Sequence, residues 1–205
     1  MFEGVEWLFF DMGNTLFDEQ RAFEHRIREM AQIAGVEYEW LYGEAVALYG
    51  QHKKGDLALA RRLGTELPRW HKEDEAPYED AEECLRTLSQ KYKIGIIANQ
   101  SPGTAERLEK YGLLRYIDLV AASAEERVSK PDLRIFQIAL DKCGCTPARA
   151  VMIGDRVDND IIPAKAMGMH TIWLRCGIWR DWQITDEQEQ ADCVVHSLAE
   201  ICKYL

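Results

Sequence analysis

Apolar and polar positions divide the chain into stretches of two different periods. Trp7, Leu8, Phe9 and Phe10 form a continuous apolar run that is short and rich in β-forming aromatics. That composition predicts a strand buried on both faces. The run stops at Asp11, and the turn formers Gly13 and Asn14 follow at once. The period then becomes helical. Phe23, Ile27, Met30 and Ala34 predict a helix over Gln20 to Ala34 that stops at Gly35. Trp40, Leu41, Ala45, Leu48 and Tyr49 predict a second helix over Tyr38 to Tyr49. A third is expected from Asp56, as N-cap, through Leu57, Leu59, Ala60 and Leu63 to Gly64. Thr65 to Pro77 is polar, holds two prolines and reads as a return linker, with the acidic run Glu73 to Glu75 in solvent.

Beyond Glu79 strands and helices alternate. A helix through Ala81, Cys84, Leu85 and Leu88 leads to a strand at Lys93 to Ala98, which ends in Asn99, Gln100 and Ser101. A helix over Thr104 to Tyr111 leads to a short strand near Asp118 to Ala121. A loop then carries Ser129, Lys130 and Pro131 before a helix over Leu133 to Lys142. The strand Ala150 to Ile153 ends in Gly154 and Asp155. A helix beginning near Asn159 accepts Pro163 in or just after its first turn. Strands at His170 to Leu174 and Cys193 to Val195 and a helix over Leu198 to Tyr204 complete the pattern. Alternation of this kind predicts an α/β fold, a doubly wound parallel sheet covered by helices on both faces. Residues 1–17 and 78–205 are expected to form the α/β core, and 18–77 a small helical domain.

Composition narrows the partners. The formal net charge of −10 argues against nucleic acid and against an anionic membrane surface. The longest apolar runs fall short of the roughly 20 residues of a membrane-spanning helix. Glu3 and Glu6 stand where a secretory leader carries positive charge, so a cytoplasmic location is expected. Six scattered cysteines, with only Cys143 and Cys145 close together, read as free thiols rather than a zinc site. None of the five histidines stands at metal-ligand spacing in the sequence. Trp173, Trp179 and Trp182 are expected to cover the sheet or anchor the loop from Leu174 to Ile184, with Trp179 or Trp182 possible at the border of the site.

The chemistry lies at the strand ends. Right-handed crossovers gather the carboxyl ends of parallel strands at one edge of the sheet. Asp11, Asp155 and Asp158 or Asp160 should therefore converge. Carboxylates held together raise one another's pKa unless a cation intervenes. Hard oxygen ligands favour Mg²⁺, and Lys130 is the obvious fixed positive charge.

The pieces DMGNTL (Asp11 to Leu16), IIANQS (Ile96 to Ser101), SKPD (Ser129 to Asp132) and GDRVDND (Gly154 to Asp160), in that order, resemble the haloacid dehalogenase (HAD) superfamily of phosphohydrolases. The helical insertion stands where that family places its C1 cap, so the resemblance implies a helical cap over 18–77 and a Rossmann-like catalytic core from 1–17 and 78–205. The resemblance implies a small phosphorylated metabolite as substrate and Asp11 as the nucleophile, forming an aspartyl-phosphate that water hydrolyses. It implies Mg²⁺ held by Asp11, the carbonyl of Gly13 and Asp155, with Asp160 acting directly or through water and preferred over Asp158. It implies Lys130 on nucleophile and phosphoryl group, with Thr15 and Asn99 orienting them. Backbone N–H groups of the turn after Asp11 would face the phosphate.

Two positions depart from the family pattern. The second Asp that most of its phosphatases carry two residues after the nucleophile, as acid and base, is here Gly13. Asp18, Glu19 or a metal-bound water could take that role. The usual Ser or Thr at Ala98 is also missing, and Ser101 or the Gln100 amide could substitute. Three readings stay open at this point. One is a working Mg²⁺-dependent phosphatase. Another is a phosphonatase- or dehalogenase-like hydrolase, the former needing a cap lysine such as Lys53 or Lys54. The third is an inactive protein binding a phosphorylated ligand or a partner.

Overall fold

The computed structural model describes residues 2–205. Strand β1 (Trp7–Phe10) gives way to a two-residue strand β2 (Phe17–Asp18), then helices α1 (Gln20–Ala34), α2 (Tyr38–Gly50) and α3 (Gly55–Leu63). The chain returns through β3 (Ala76–Pro77) to α4 (Ala81–Leu88), β4 (Lys93–Ala98), α5 (Thr104–Lys110) and β5 (Leu119–Ala122). It continues through α6 (Ser123–Glu126), α7 (Leu133–Cys143), β6 (Ala150–Gly154), α8 (Ile162–Met167), β7 (His170–Leu174), β8 (Cys193–Val195) and α9 (Leu198–Tyr204). The main sheet has the order β5-β4-β1-β6-β7-β8, and every neighbouring pair is parallel.

That order makes β1 the centre. The chain builds outward on one side through β4 and β5, then crosses to the other through β6, β7 and β8. Open α/β sheets bind ligands outside the strand carboxyl ends at such a reversal. Leu8, Phe9 and Phe10 are fully buried. Leu8 and Phe10 join Ile94, Ile96, Val151 and Ile153 on the face covered by α4 and α9. Phe9 points the other way, against Ile135, Phe136 and Ala164 of α7 and α8. Burying each such side chain contributes about 1.5–3 kcal/mol. The strand that ends in Asp11 is therefore fixed from both sides, and the carboxylate inherits that rigidity.

The three helices α1–α3 share one apolar cluster. Phe23, Ile27, Met30, Leu41, Tyr49 and Leu59 pack together with Val157, Ile161 and Trp173 from the sheet side. Tyr49 meets Trp179 edge to face, 4.5 Å between ring centroids. The helical layer is thus seated on the loops that follow β6 and β7. Its two ends are tied by an antiparallel ribbon in which Phe17 pairs with Pro77 and Asp18 with Ala76. The sequence pattern alone treats that stretch as plain linker, because a two-residue strand has no period to detect.

Three local expectations change. Helix α3 starts at Gly55, with Lys54 before it, not after an Asp56 cap. A Cβ on Gly55 would lie 2.2 Å from the Ala45 carbonyl oxygen, so glycine lets α3 close onto α2. Asp56 is buried instead: it accepts the Tyr49 hydroxyl at 2.7 Å and pairs with Arg26 Nη1 at 2.7 Å, joining all three helices. Glu75 is buried as well and pairs with Arg107 at 2.9 Å, so the acidic run is not wholly solvated. The stretch expected to open as a helix near Asn159 winds as a π turn over Val157–Ile161 before α8. All six cysteines are free, and no helix among the described residues is long and apolar enough to cross a membrane.

Candidate active site

The carboxyl edge of the sheet opens into a cavity of about 560 Å³. Asp11 follows β1 directly, and its N–H donates to Ile153 O of β6 at 2.8 Å, so the sheet ladder runs into the site. Behind it the chain turns sharply. Asn14 adopts φ +50, a left-handed conformation that Asn tolerates. The N–H groups of Leu16 and Phe17 both donate to the Met12 carbonyl at 2.9 Å.

Lys130 Nζ lies 2.7 Å from Asp11 Oδ1 and 2.6 Å from Asp160 Oδ1. Burial alone disfavours its charge, but the two carboxylates outweigh burial and raise its pKa above the usual value. Its backbone is held in both directions by Asn99, which donates from Nδ2 to Lys130 O at 2.8 Å and accepts Lys130 N–H at 2.7 Å. Asn99 therefore positions the lysine, its amide oxygen and nitrogen each engaged with the Lys130 backbone.

Asp160 is fully buried and its second oxygen accepts the Arg156 N–H at 3.0 Å. Burial moves its pKa up to about 6, against the pull of Lys130. A Cβ on Gly154 would lie 2.2 Å from Asp160 Oδ2, so only glycine lets this carboxylate press against the end of β6. Asp155 is the exception in this network. It is 1 % exposed, and both its carboxylate oxygens lack any hydrogen-bond partner among the described residues. Burial, then the charges of Asp11, Asp160 and Glu19, push its pKa well above the carboxylate range. Its backbone carbonyl accepts Trp173 Nε1–H at 2.9 Å.

Oxygens of Asp11, Asp155 and Asp160 all lie within 4.8 Å of one another. Two buried, unpartnered oxygens beside two further carboxylates are what a hard divalent cation satisfies. The donor set fits Mg²⁺. Asp11 and Asp155 are the carboxylates with oxygens to offer it, whereas both Asp160 oxygens already accept protein donors. Gly13 lines the same cavity, where its carbonyl could join them.

The remaining expected residues are spread more widely. Gln100 lines the cavity, with Arg107 Nη1 donating to its Oε1 at 3.3 Å. Ser101 is exposed, bonded by Lys72 Nζ, and is not among the lining residues. Thr15 is fully buried beneath the turn with an unpartnered hydroxyl, and it too is not on the cavity wall. Asp158 lines the cavity but is bound by Arg156, Nε to Oδ1 at 3.0 Å. Arg156 itself lies over the Trp179 ring at 4.3 Å, and both border the cavity.

Two side chains from the helical layer reach the wall, Glu19 and Lys54. Burial, together with the charges of Glu75 and Asp11, raises the Glu19 pKa to about 8. Asp18 behaves differently: its Oδ1 accepts the Gln20 N–H at 2.8 Å and it does not line the cavity. Of the two tryptophans considered for the border, Trp179 lines the cavity and Trp182 does not, while Arg156 and Asn159 reach the wall through the π turn, which no sequence period announces.

A second polar cluster joins α1 to the return segment. His25 and His71 stack face to face at 3.5 Å, with His71 Nε2 2.8 Å from Glu29 and His25 Nδ1 2.7 Å from Asp74. Sequence spacing does not reveal this meeting, because His71 comes from a segment 42 residues after Glu29.

The family model described as "Hydrolase: haloacid dehalogenase-like hydrolase" matches residues 5–168. The chain belongs to that family. Its members include relatives with named activities. The glyceraldehyde 3-phosphate phosphatase of Pyrococcus furiosus is 28% identical, over 98% of this chain and 93% of its own. The pyrimidine 5′-nucleotidase YjjG of Escherichia coli is also 28% identical, over 92% of this chain and 98% of its own. Among solved structures, a predicted phosphoglycolate phosphatase from Haemophilus somnus superposes with TM-score 0.72. It is 16% identical and covers 98% of both chains, which is agreement of fold. This HAD-like chain is thus a hydrolase by family, with the parallel sheet that the family uses.

Proposed function

We propose that this HAD-like hydrolase is a Mg²⁺-dependent phosphatase that cleaves a small phosphomonoester through an aspartyl-phosphate on Asp11. The reading is carried by one observation: the buried Asp155 carboxylate has two unpartnered oxygens beside an Asp11 already gripped by Lys130. Asp11 suits the nucleophile's role because it is the most exposed of the three carboxylates, 9 % against 1 % for Asp155 and 0 % for Asp160. Lys130 takes one hydrogen bond at Oδ1, so the carboxylate keeps lone pairs both for a cation and for attack on phosphorus. Lys130 fixes the nucleophile's rotamer and offers positive charge to the phosphoryl oxygens. Asp160 and Asn99 keep that ammonium charged and in place. Bound Mg²⁺ supplies charge neutralisation between Asp11 and the phosphoryl group. Attack forms an Asp11–phosphorus bond as the ester oxygen leaves with its electron pair, and water then releases phosphate and restores Asp11. Residues 18–77 act as a cap, with Lys54 and Trp179 bordering the leaving-group side.

The test is turnover of acetyl phosphate, p-nitrophenyl phosphate and small sugar phosphates, with Mg²⁺ and with excess chelator. Activity is expected only with the metal. Mg²⁺ at 100 times its Kd should also stabilise the fold by about 2.7 kcal/mol. D155N should lose that stabilisation. Equal melting of wild type with and without Mg²⁺ contradicts the metal assignment. The presence of Lys54 on the wall favours one second reading, cleavage of a phosphonate aldehyde through a lysine Schiff base. Borohydride trapping of that aldehyde on Lys54, with no turnover of phosphate esters, would favour it.

A further inference from the structure

We propose that Glu19 is the catalytic acid and base of this enzyme, reaching from the start of α1 into the space left by Gly13. The inference rests on the phosphatase reading above and concerns the one position where this chain departs from the family pattern in its nucleophile motif.

The geometry is specific. A Cβ built on Gly13 would lie 2.2 Å from Glu19 Oε1, 2.6 Å from its Cδ and 3.0 Å from its Oε2. All three carboxyl atoms thus crowd the volume that an aspartate side chain at position 13 would take. A Cβ at position 13 would make the end of the Glu19 side chain swing aside, so this spot holds one carboxyl or the other and not both. The chain places a carboxyl in that spot from a different backbone position. Asn14 Nδ2 donates to Glu19 Oε2 at 3.0 Å and steadies the group. Glu19 and Asp11 line the same cavity. Asp18, the neighbouring alternative, is turned to the Gln20 N–H instead.

The chemistry balances with this residue alone as proton carrier. In the first step Asp11 bonds to phosphorus, the ester P–O bond breaks, and the Glu19 carboxylic proton passes to the leaving oxygen, giving an alcohol. In the second, the Glu19 carboxylate takes a proton from water. The water oxygen bonds to phosphorus, the Asp11–phosphorus bond breaks, and the products are phosphate and the starting enzyme with Glu19 again protonated.

The experiment compares leaving groups in E19Q, which keeps the side chain's shape. Positioned acid–base groups contribute about 10²–10⁴-fold. E19Q should therefore lose about that factor in kcat on an alkyl phosphate such as glycerol phosphate. With p-nitrophenyl phosphate, whose leaving group needs no proton, it should give a burst of about one p-nitrophenolate per chain, then a slow steady state. The burst arises because the second step still needs a base. G13D/E19A, which moves the carboxyl to position 13, should recover alkyl phosphate turnover. G13D alone should gain little, since it displaces Glu19 and leaves one carboxyl in that space as before. An unchanged alkyl-to-aryl rate ratio in E19Q with no burst overturns the assignment while leaving the phosphatase reading intact. Failure of G13D/E19A to exceed E19A on alkyl phosphate also overturns it. Wild type that turns over no phosphate ester with Mg²⁺ overturns both.

Discussion

The two walls of the cavity are built on different principles. One wall is made of strand ends. Asp11, Lys130, Asp155 and Asp160 project from, or are held against, a central sheet whose residues are packed on both faces. Their charges are tightly coupled, and a change in one is felt by all. The other wall comes from the helical layer and the loop after β7, through Glu19, Lys54 and Trp179. Lys54 there is exposed and Glu19 half-buried, whereas Trp179 is buried, and the helical layer is joined to the core by one apolar cluster and a two-residue ribbon. On the proposed reading the contrast is a division of labour: the sheet edge would fix the nucleophile and the charge balance, and the helical wall would handle the proton and the leaving group.

That division can be broken at the sheet edge first. K130A removes the ammonium that pairs with both Asp11 and Asp160. Breaking a buried pair in this way costs about 3–5 kcal/mol. Chemical denaturation should show that loss, and turnover should fall to background on every substrate regardless of leaving group. A variant with wild-type stability and measurable turnover would remove Lys130 from the centre of the account.

A break in the helical layer should have a different signature. D56A strands Arg26, which is mostly buried, and deprives the Tyr49 hydroxyl of its acceptor. Leaving such donors unpaired costs about 1–3 kcal/mol. The expected outcome is lower stability and a higher KM, with kcat on acetyl phosphate retained to within a few-fold. A collapse of kcat equal to that of K130A would mean that the two walls are not separable.

The same contrast explains what the sequence makes legible. Asp11 and Asp155 can be placed from a linear pattern because a strand's end is set by where its apolar run stops, and parallel crossovers bring those ends together; Lys130, in the loop before α7, is legible through the SKPD piece. The α/β architecture is legible for the same reason. Glu19 could be named only as one of several acids, because its direction depends on the β2–β3 ribbon, which two residues per strand cannot announce. Asp56 looks like a helix cap in sequence, but Gly55 lets α3 begin earlier and draws that carboxylate inside. Thr15 and Ser101 carry hydroxyls suited to phosphate, yet one lies beneath the turn and the other faces Lys72 in solvent. The pairing of His71 with Glu29 depends on a fold-back of the return segment that no local period encodes.

The central claim is most directly tested by trapping the covalent intermediate. Protein mixed with acetyl phosphate and Mg²⁺, quenched in acid and reduced with borohydride, should yield homoserine at position 11 by peptide mass spectrometry, and D11N should yield none. Ester turnover with no modification at Asp11, or a phosphoryl adduct on another residue, would contradict the account.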